Sequence, residues 1–238
     1  MNTLLTKLMN VRDIADDTIE IHLEKPDGFQ FQPGQHLNLN LGELKHEDSR
    51  GARRTFSFTS APYEEQIILA TRQTRSGFKK TLEELPAGTE VEFKGPMGEM
   101  VMDPEIPAVF LAGGIGITPF RSMILQTLHE NRQTPMTLLY SNRYPGASAF
   151  HSLFTQLAND HESFSYIPTF PDDDARLQDW DGERRKFTEA FINDYVKNPK
   201  QVIFYMAAPP GMTDAVTETL KNMEISEDNF RKESFWGY

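Results

Sequence analysis

The sequence predicts two units of different architecture in series: a six-stranded antiparallel barrel over residues 1–103, then a five-stranded parallel α/β unit over residues 104–238. Three observations predict it. Before Met102, short runs alternate polar and apolar residues between turns that carry Gly or Pro, the rhythm of a small barrel. After Pro104, short apolar runs alternate with helical windows, the rhythm of βαβ repeats and a parallel sheet. Between them, the apolar run Val109–Ala112 stops at Gly113-Gly114-Ile115-Gly116, and a helical pattern follows. Strand, glycine turn and helix in that order make the second unit Rossmann-like, with a turn that something can approach closely.

In the first unit, Thr18–Leu23, His36–Leu41, Thr55–Thr59 and Gln66–Thr71 alternate as half-buried strands, and Glu90–Phe93 adds another. A short helix is predicted from Phe78 to Leu85, and Gly95-Pro96-Met97-Gly98 closes the unit as a turn. In the second unit, strands are predicted at Val109–Ala112, Met136–Ser141, Ser163–Pro168 and Val202–Ala207, with Asn229–Phe235 as a last strand. Helices are predicted at Phe120–Glu130, Ala149–Asn159, Thr188–Val196 and Met212–Met223. Between Pro171 and Arg185 lies an acidic, turn-rich insert (Asp172, Asp173, Asp174, Asp179, Asp181, Glu183), read as a solvated loop rather than a metal site. No internal repeat or low-complexity linker is present.

Composition narrows the function classes. The net charge of −11 is shared, with 12 basic against 17 acidic residues in 1–103 and 12 against 18 in 104–238. A sequence-independent grip on nucleic acid or anionic membrane is therefore not expected. There is no cysteine, which excludes disulfides, thiolate catalysis and cysteine-ligated zinc or iron–sulfur centres within these residues. No apolar run reaches the length of a membrane span and no secretory signal is apparent, so a cytoplasmic protein is expected. Two basic clusters stand out, Arg50/Arg53/Arg54 and Arg72/Arg75/Lys79/Lys80; each suits a solvated surface or a small polyanion, and composition leaves both open.

In open parallel sheets ligands sit beyond the carboxyl ends of the strands. Three strand ends here carry chemistry. At Gly113–Pro119, Thr118 reads as an N-cap and Pro119 as the first helical residue, so bare amides and the helix dipole would favour a phosphate. Pro119 stands where the dinucleotide fingerprint has its third glycine. At Ser141-Asn142-Arg143, an arginine among small polar residues suits a 2′-phosphate better than a bare ribose, although a surface role fits it too. At Ala207-Ala208-Pro209-Pro210-Gly211-Met212, a rigid turn of small residues suits a flat ring pressed on backbone.

Taken together, these residues resemble the ferredoxin–NADP reductase superfamily of flavoprotein reductases over nearly the whole chain. Arg54-Thr55-Phe56-Ser57 is similar to the family's Arg-x-(Tyr/Phe)-Ser flavin motif, and Gly77-Phe78-Lys79-Lys80 resembles the segment whose amides meet the flavin phosphates. Gly113–Pro119 matches Gly-Gly-x-Gly-x-(Thr/Ser)-Pro, and Tyr205–Met212 resembles the Cys-Gly-Pro-Pro-x-Met motif with Ala207 in the Cys position. The resemblance implies that the barrel binds flavin and the α/β unit binds NAD(P)H. It implies Arg54 on the flavin phosphate, Phe56 on the isoalloxazine and Ser57 near N5. Thr55, Thr71, Arg72, Gly77, Phe78, Lys79 and Lys80 would complete the flavin seat. Gly114, Gly116, Thr118, Pro119, Ser141, Arg143, Ala207, Pro209 and Met212 would hold the nucleotide. Ser57, Thr118 and Glu233 would stand at the reacting centre. Phe235, with Tyr238 as rival and Trp236 beside them, would cover the flavin face.

The expected function follows from the resemblance: hydride passes from NADPH or NADH to FAD (with FMN the lesser alternative), and electrons go on to an acceptor. That acceptor is a ferredoxin or flavodoxin, free flavin, a quinone or ferric chelate, or an oxygenase component, and the acidic chain would steer poorly toward an acidic ferredoxin. A monomer without bound metal, nucleic acid or membrane is expected. The alternative is a non-catalytic flavin- or nucleotide-binding regulator, or an electron-transfer subunit of a larger complex.

Overall fold

A computed structural model describes residues 3–74, 76–172 and 174–235. Arg75, Asp173, Trp236 and Tyr238, named above, lie outside the described residues.

The six-stranded sheet has the order β4-β3-β6-β1-β2-β5, with every pairing antiparallel. Its strands are β1 (Thr3–Ala15), β2 (Thr18–Glu24), β3 (His36–Asn40), β4 (Arg53–Ser57), β5 (Gln66–Arg72) and β6 (Glu90–Met97), with the short helix α1 (Gly77–Glu83) between the last two. The residues after β4 close the barrel onto β5, where the amides of Thr59 and Ser60 both donate to the Ile68 carbonyl. Alternate residues such as Ile21, Leu37, Leu39, Phe58, Leu69 and Phe93 fill the interior with essentially no exposure.

Two features depart from the sequence reading. The longest strand, β1, is absent from it, because the register shifts between Leu8 and Asn10. A bulge there changes which parity faces inward, so Leu4, Thr6 and Leu8 are followed by Val11 and Ile14 and no alternation survives. The predicted turn Gly95–Gly98 is also strand for most of its length: β6 runs on to Met97, which pairs with His36.

The parallel sheet has the order β11-β10-β7-β8-β9, built from β7 (Ala108–Gly113), β8 (Met136–Ser141), β9 (Phe164–Thr169), β10 (Ile203–Ala208) and β11 (Phe230–Ser234). Helices α2 (Ile117–His129), α3 (His151–Asp160), α4 (Glu189–Tyr195) and α5 (Pro210–Asn222) cover it. Ala108, Phe110 and Ala112 of β7 face one apolar layer with Phe120, Ile124 and Phe154, while Val109 and Leu111 face the other with Phe191 and Leu220. Burial on both faces is why these strands read as continuous apolar runs instead of alternating ones. The direction of winding reverses between β7 and β10, so the ligand position lies beyond Gly113 and Ala208.

The acidic insert is more ordered than a solvated loop. Leu177 is buried with Tyr144, Ala147 and Phe170, Trp180 packs edge-on to Phe170, and Asp174 caps the turn through the Arg176 amide. Among the described residues no group of acidic and histidine side chains is arranged to hold a metal ion.

Candidate active site

The local geometry at the first strand end differs from expectation in detail. A single 3-10 turn, Gly114–Gly116, precedes α2, whose N-cap is Gly116 and lacks a side-chain cap. Thr118 is therefore no cap; it is the second helical residue, buried, with its hydroxyl donating to the Ile115 carbonyl at 3.1 Å. Pro119 is the third helical residue, still within the first turn, where a missing N–H costs nothing. The glycines differ in purpose. Gly114 adopts φ +53° beneath open space, where the nearest atom a Cβ would meet is Arg72 Nη2 at 3.7 Å. A Cβ on Gly116 would lie 2.0 Å from the Ala207 carbonyl oxygen. Gly116 thus serves close contact between the turn and β10. Gly116→Ala is expected to cost about 3 kcal/mol of overpacking, read as a lowered midpoint in thermal denaturation.

Two cavities meet at this turn. The smaller, of about 330 Å³, is lined by Arg54, Thr55, Phe56, Ser57, Thr71 and Lys79 from the barrel, and by Ile115, Thr118, Glu233 and Phe235 from the α/β unit. The larger, of about 780 Å³, includes Gly114, Ser141, Arg143, Pro209 and Met212 in its lining. It also includes Arg72, which was expected with the flavin: its guanidinium donates to the Asp16 carbonyl, the Thr18 hydroxyl and Asn142 Oδ1. Ile115 borders both cavities.

Other expected residues line neither cavity. Lys80 is exposed on α1, and Gly77 is buried where a Cβ would meet the Glu47 carbonyl at 2.2 Å. The Phe78 ring is wholly inside the barrel core. Ala207 is fully buried in β10, and Gly116 and Pro119 are packed inside the turn and helix.

The anion chemistry of the smaller cavity centres on Arg54, which is 8% exposed. Its Nη1 donates to the carbonyls of Gly51 and Arg53, and Nη2 lies 2.6 Å from Asp48 Oδ2. Asp48 was not foreseen. Its carboxylate accepts from the amides of Phe78 and Arg50, so it already occupies the helix-start amide expected to meet a phosphate. The Phe78 amide leads in holding its pKa down to about 2, with the Arg50 amide and Arg54 assisting. A depressed carboxyl stabilises the fold above the ordinary pKa and loses that contribution as pH falls through the folded one. Stability is therefore expected to drop between about pH 4 and pH 2, and Asp48→Asn should flatten that limb in acid-denaturation curves.

On the wall of the same cavity, Ser57 is buried and pairs along the strands with His36. His36 Nδ1 lies 3.6 Å from Glu233 Oε1. Burial raises the Glu233 carboxyl and lowers the His36 imidazole, so both are biased toward their neutral forms. Burial, with Arg54 and Arg50 nearby, lowers the Lys79 ammonium to about 8, and Lys79 Nζ donates to the Arg72 carbonyl. His36 was missed because a lone histidine at a strand start has no spacing signal. Phe235 is anchored by its amide, which donates to the Ala208 carbonyl at 3.1 Å, and so its ring borders the cavity at the sheet's carboxyl edge.

The cavity fits a flavin. Phe56 offers an aromatic wall, Ser57 and Thr118 offer hydroxyls, and Arg54 and Lys79 bring two cationic side chains to the lining, of which Arg54 is paired with Asp48. Cationic side chains on the wall suit a phosphate. Residues 6–102 match the family described as an oxidoreductase FAD-binding domain, and residues 110–218 match the oxidoreductase NAD-binding domain. The chain belongs to the ferredoxin–NADP reductase superfamily. The same architecture is found in a ferredoxin NADP+ reductase from Neisseria gonorrhoeae with bound FAD and NADP. The TM-score is 0.83, at 18% identity, covering 99% of this chain and 100% of that one. In sequence, the reductase component of phenol 2-monooxygenase from Pseudomonas sp. (strain CF600) is 29% identical over 231 residues, 94% of this chain and 63% of that protein. The phenol hydroxylase P5 protein of Acinetobacter pittii is 27% identical over 238 residues, 96% of this chain and 64% of that protein. The chain thus spans slightly under two thirds of the length of these two relatives. The two matches put an FAD-binding domain and an NAD-binding domain in series, so FAD and a pyridine nucleotide are the cofactors of these two units. No helix among the described residues is long and apolar enough to cross a membrane.

Proposed function

We propose that this chain is an NAD(P)H-dependent flavoprotein reductase that delivers electrons to a separate oxygenase component. The observation that carries the reading is the shared wall at Ile115: a flavin in the smaller cavity and a nucleotide in the larger one would meet there, beside Ser57, Thr118 and Glu233. Contact between two rings is what hydride transfer needs, and positioning supplies most of the rate. FAD, when bound, supplies a two-electron acceptor that can release electrons singly.

The chain's own residues do the rest. Arg54 and Lys79 supply positive charge to the phosphates, and Phe56 and Phe235 border the ring position. Ser57 offers a hydroxyl at the reacting edge. Glu233, its carboxyl raised by burial, holds a proton there to higher pH than an exposed glutamate would, and His36 is the neighbour that can share it. Gly114, Pro209 and Met212 hold the nucleotide with backbone and small apolar surface. The absence of cysteine means that a cluster-bearing acceptor would not draw thiolate ligands from these residues. The names of the phenol-oxidising relatives favour an oxygenase component over a free ferredoxin, as does the charge of −11. Both cavities are formed within one chain, which suits a monomer, and a cytoplasmic enzyme would work where NAD(P)H is made.

The test is anaerobic titration of the purified yellow protein with NADH and NADPH. Bleaching of the flavin band within seconds supports a reductase; a protein that binds flavin and nucleotide without bleaching would be the regulator instead. Reoxidation on adding candidate oxygenase components, against free flavin and ferric chelates, identifies the acceptor.

A further inference from the structure

Strand β8 ends in Ser141-Asn142-Arg143 without a carboxylate. A sheet that binds NADH commonly places an acid at this strand end, where it accepts a hydrogen bond from the ribose 2′-hydroxyl. The barrel brings one there from outside the sheet. The β1–β2 turn, Asp16-Asp17, crosses to the α/β unit: the Asp16 amide donates to the Gly146 carbonyl at 2.8 Å. Arg72 fastens both sides, donating to the Asp16 carbonyl at 3.1 Å and to Asn142 Oδ1 at 2.9 Å. The Gln73 amide donates to the Asp17 carbonyl at 2.7 Å, and Asp17 is held in the left-handed region at φ +55°. Its Oδ2 then lies 3.3 Å from Arg143 Nη2, and both residues line the larger cavity with Ser141.

We infer that Asp17 is the donor-specificity residue of this reductase, a ribose-binding acid supplied by the flavin-side barrel, and that it biases the enzyme toward NADH. The inference rests on reading the larger cavity as the nucleotide seat. The Asp17–Arg143 side chains are 65% and 48% exposed, so the pair adds little to stability. Its consequence is for the ligand. A 2′-phosphate drawn to Arg143 must displace the Asp17 carboxylate or sit beside it, and a phosphate monoester carries close to two negative charges at neutral pH. A 2′-hydroxyl meets the same carboxylate as a hydrogen-bond acceptor. The other charges on the cavity wall do not reverse the bias: Arg72 is committed to the turn, and the positive charge of Lys186 is offset by the opposite charge of Asp172 on the same wall.

The test compares wild type with Asp17→Asn in two assays on the whole flavin-loaded protein: calorimetric binding of ADP and of 2′,5′-ADP, and kcat/KM for NADH and NADPH. Wild type is expected to favour ADP and NADH. Asp17→Asn is expected to shift both preference ratios toward the 2′-phosphorylated ligand by about tenfold, the scale of one half-exposed carboxylate acting on a doubly charged group. Adding Arg143→Ala to Asp17→Asn should cancel the shift. Unchanged ratios, or parallel weakening of both ligands, would overturn the inference and leave Asp17 as a fastening of the turn. If wild type were reduced by neither nucleotide the catalytic reading would fail, while the ADP comparison would still judge Asp17.

Discussion

Ser57→Ala is expected to slow reduction of the bound flavin by NADH about 100-fold, the cost typical of removing one donor aimed at a reacting centre. The protein should remain yellow, because Arg54, Lys79 and Phe56 line the same cavity independently of the hydroxyl. Ser57 is 4% exposed at the end of β4, opposite His36 and within the cavity that also holds Thr118 and Glu233. On the proposed function, a buried hydroxyl so placed would act on the reaction and add little to the binding of the flavin's phosphates. Anaerobic stopped-flow reduction at saturating NADH separates the two: the limiting rate should fall while flavin content and NADH affinity hold. A limiting rate equal to wild type would remove Ser57 from the reacting centre. Glu233→Gln gives a second reading, because it should change the pH dependence of that rate through the loss of the only carboxylate that lines this cavity among the described residues.

Arg121→Ala is expected to destabilise the protein by about 3 kcal/mol, since it breaks a largely buried, bidentate pair and strands its partner. Arg121 lies on α2 and reaches into the barrel, where Nη1 donates to the Thr59 carbonyl at 2.8 Å and both terminal nitrogens donate to the Glu64 carboxylate. The neighbouring Ser122 hydroxyl donates to the Ser60 carbonyl at 2.6 Å, and Tyr63 stacks on His129 at 3.9 Å. This contact fixes the barrel against the α/β unit, and with it the alignment of the two cavities at Ile115. Calorimetry should show a midpoint lowered by roughly 8 °C, with the single transition broadening as the two units begin to melt apart. The rate of flavin reduction should fall too, although Arg121 lines neither cavity. An unchanged midpoint would mean that the remaining contacts suffice. The sequence holds a faint sign of this residue, a single cation within the otherwise uncharged stretch Ile117–Leu128 of α2.

Much of the fold was legible because its determinants are local. The β8 limits coincide with prediction, and the strands of the parallel sheet read as apolar runs because both of their faces are buried. What escaped is where one residue changes the local period. The bulge in β1 hid a 13-residue strand, and the glycine–proline pair in β6 read as a turn although the ladder continues through it.

The sequence by itself determined the order of the units and the residue types at the strand ends: glycines where the backbone must be bare, a buried arginine before an aromatic and a serine, a small-residue turn before α5. Those choices follow from backbone sterics and from hydrophobic period, which act over a few neighbours. Only the tertiary structure decided which charges meet. Asp48 accepts from the helix-start amide of Phe78, Arg72 donates to Asn142 across the two units, His36 stands beside Glu233, and Asp17 reaches Arg143 from 126 positions away. Coulombic and hydrogen-bonding partners are fixed by distance in space, and no local period in a chain encodes that distance.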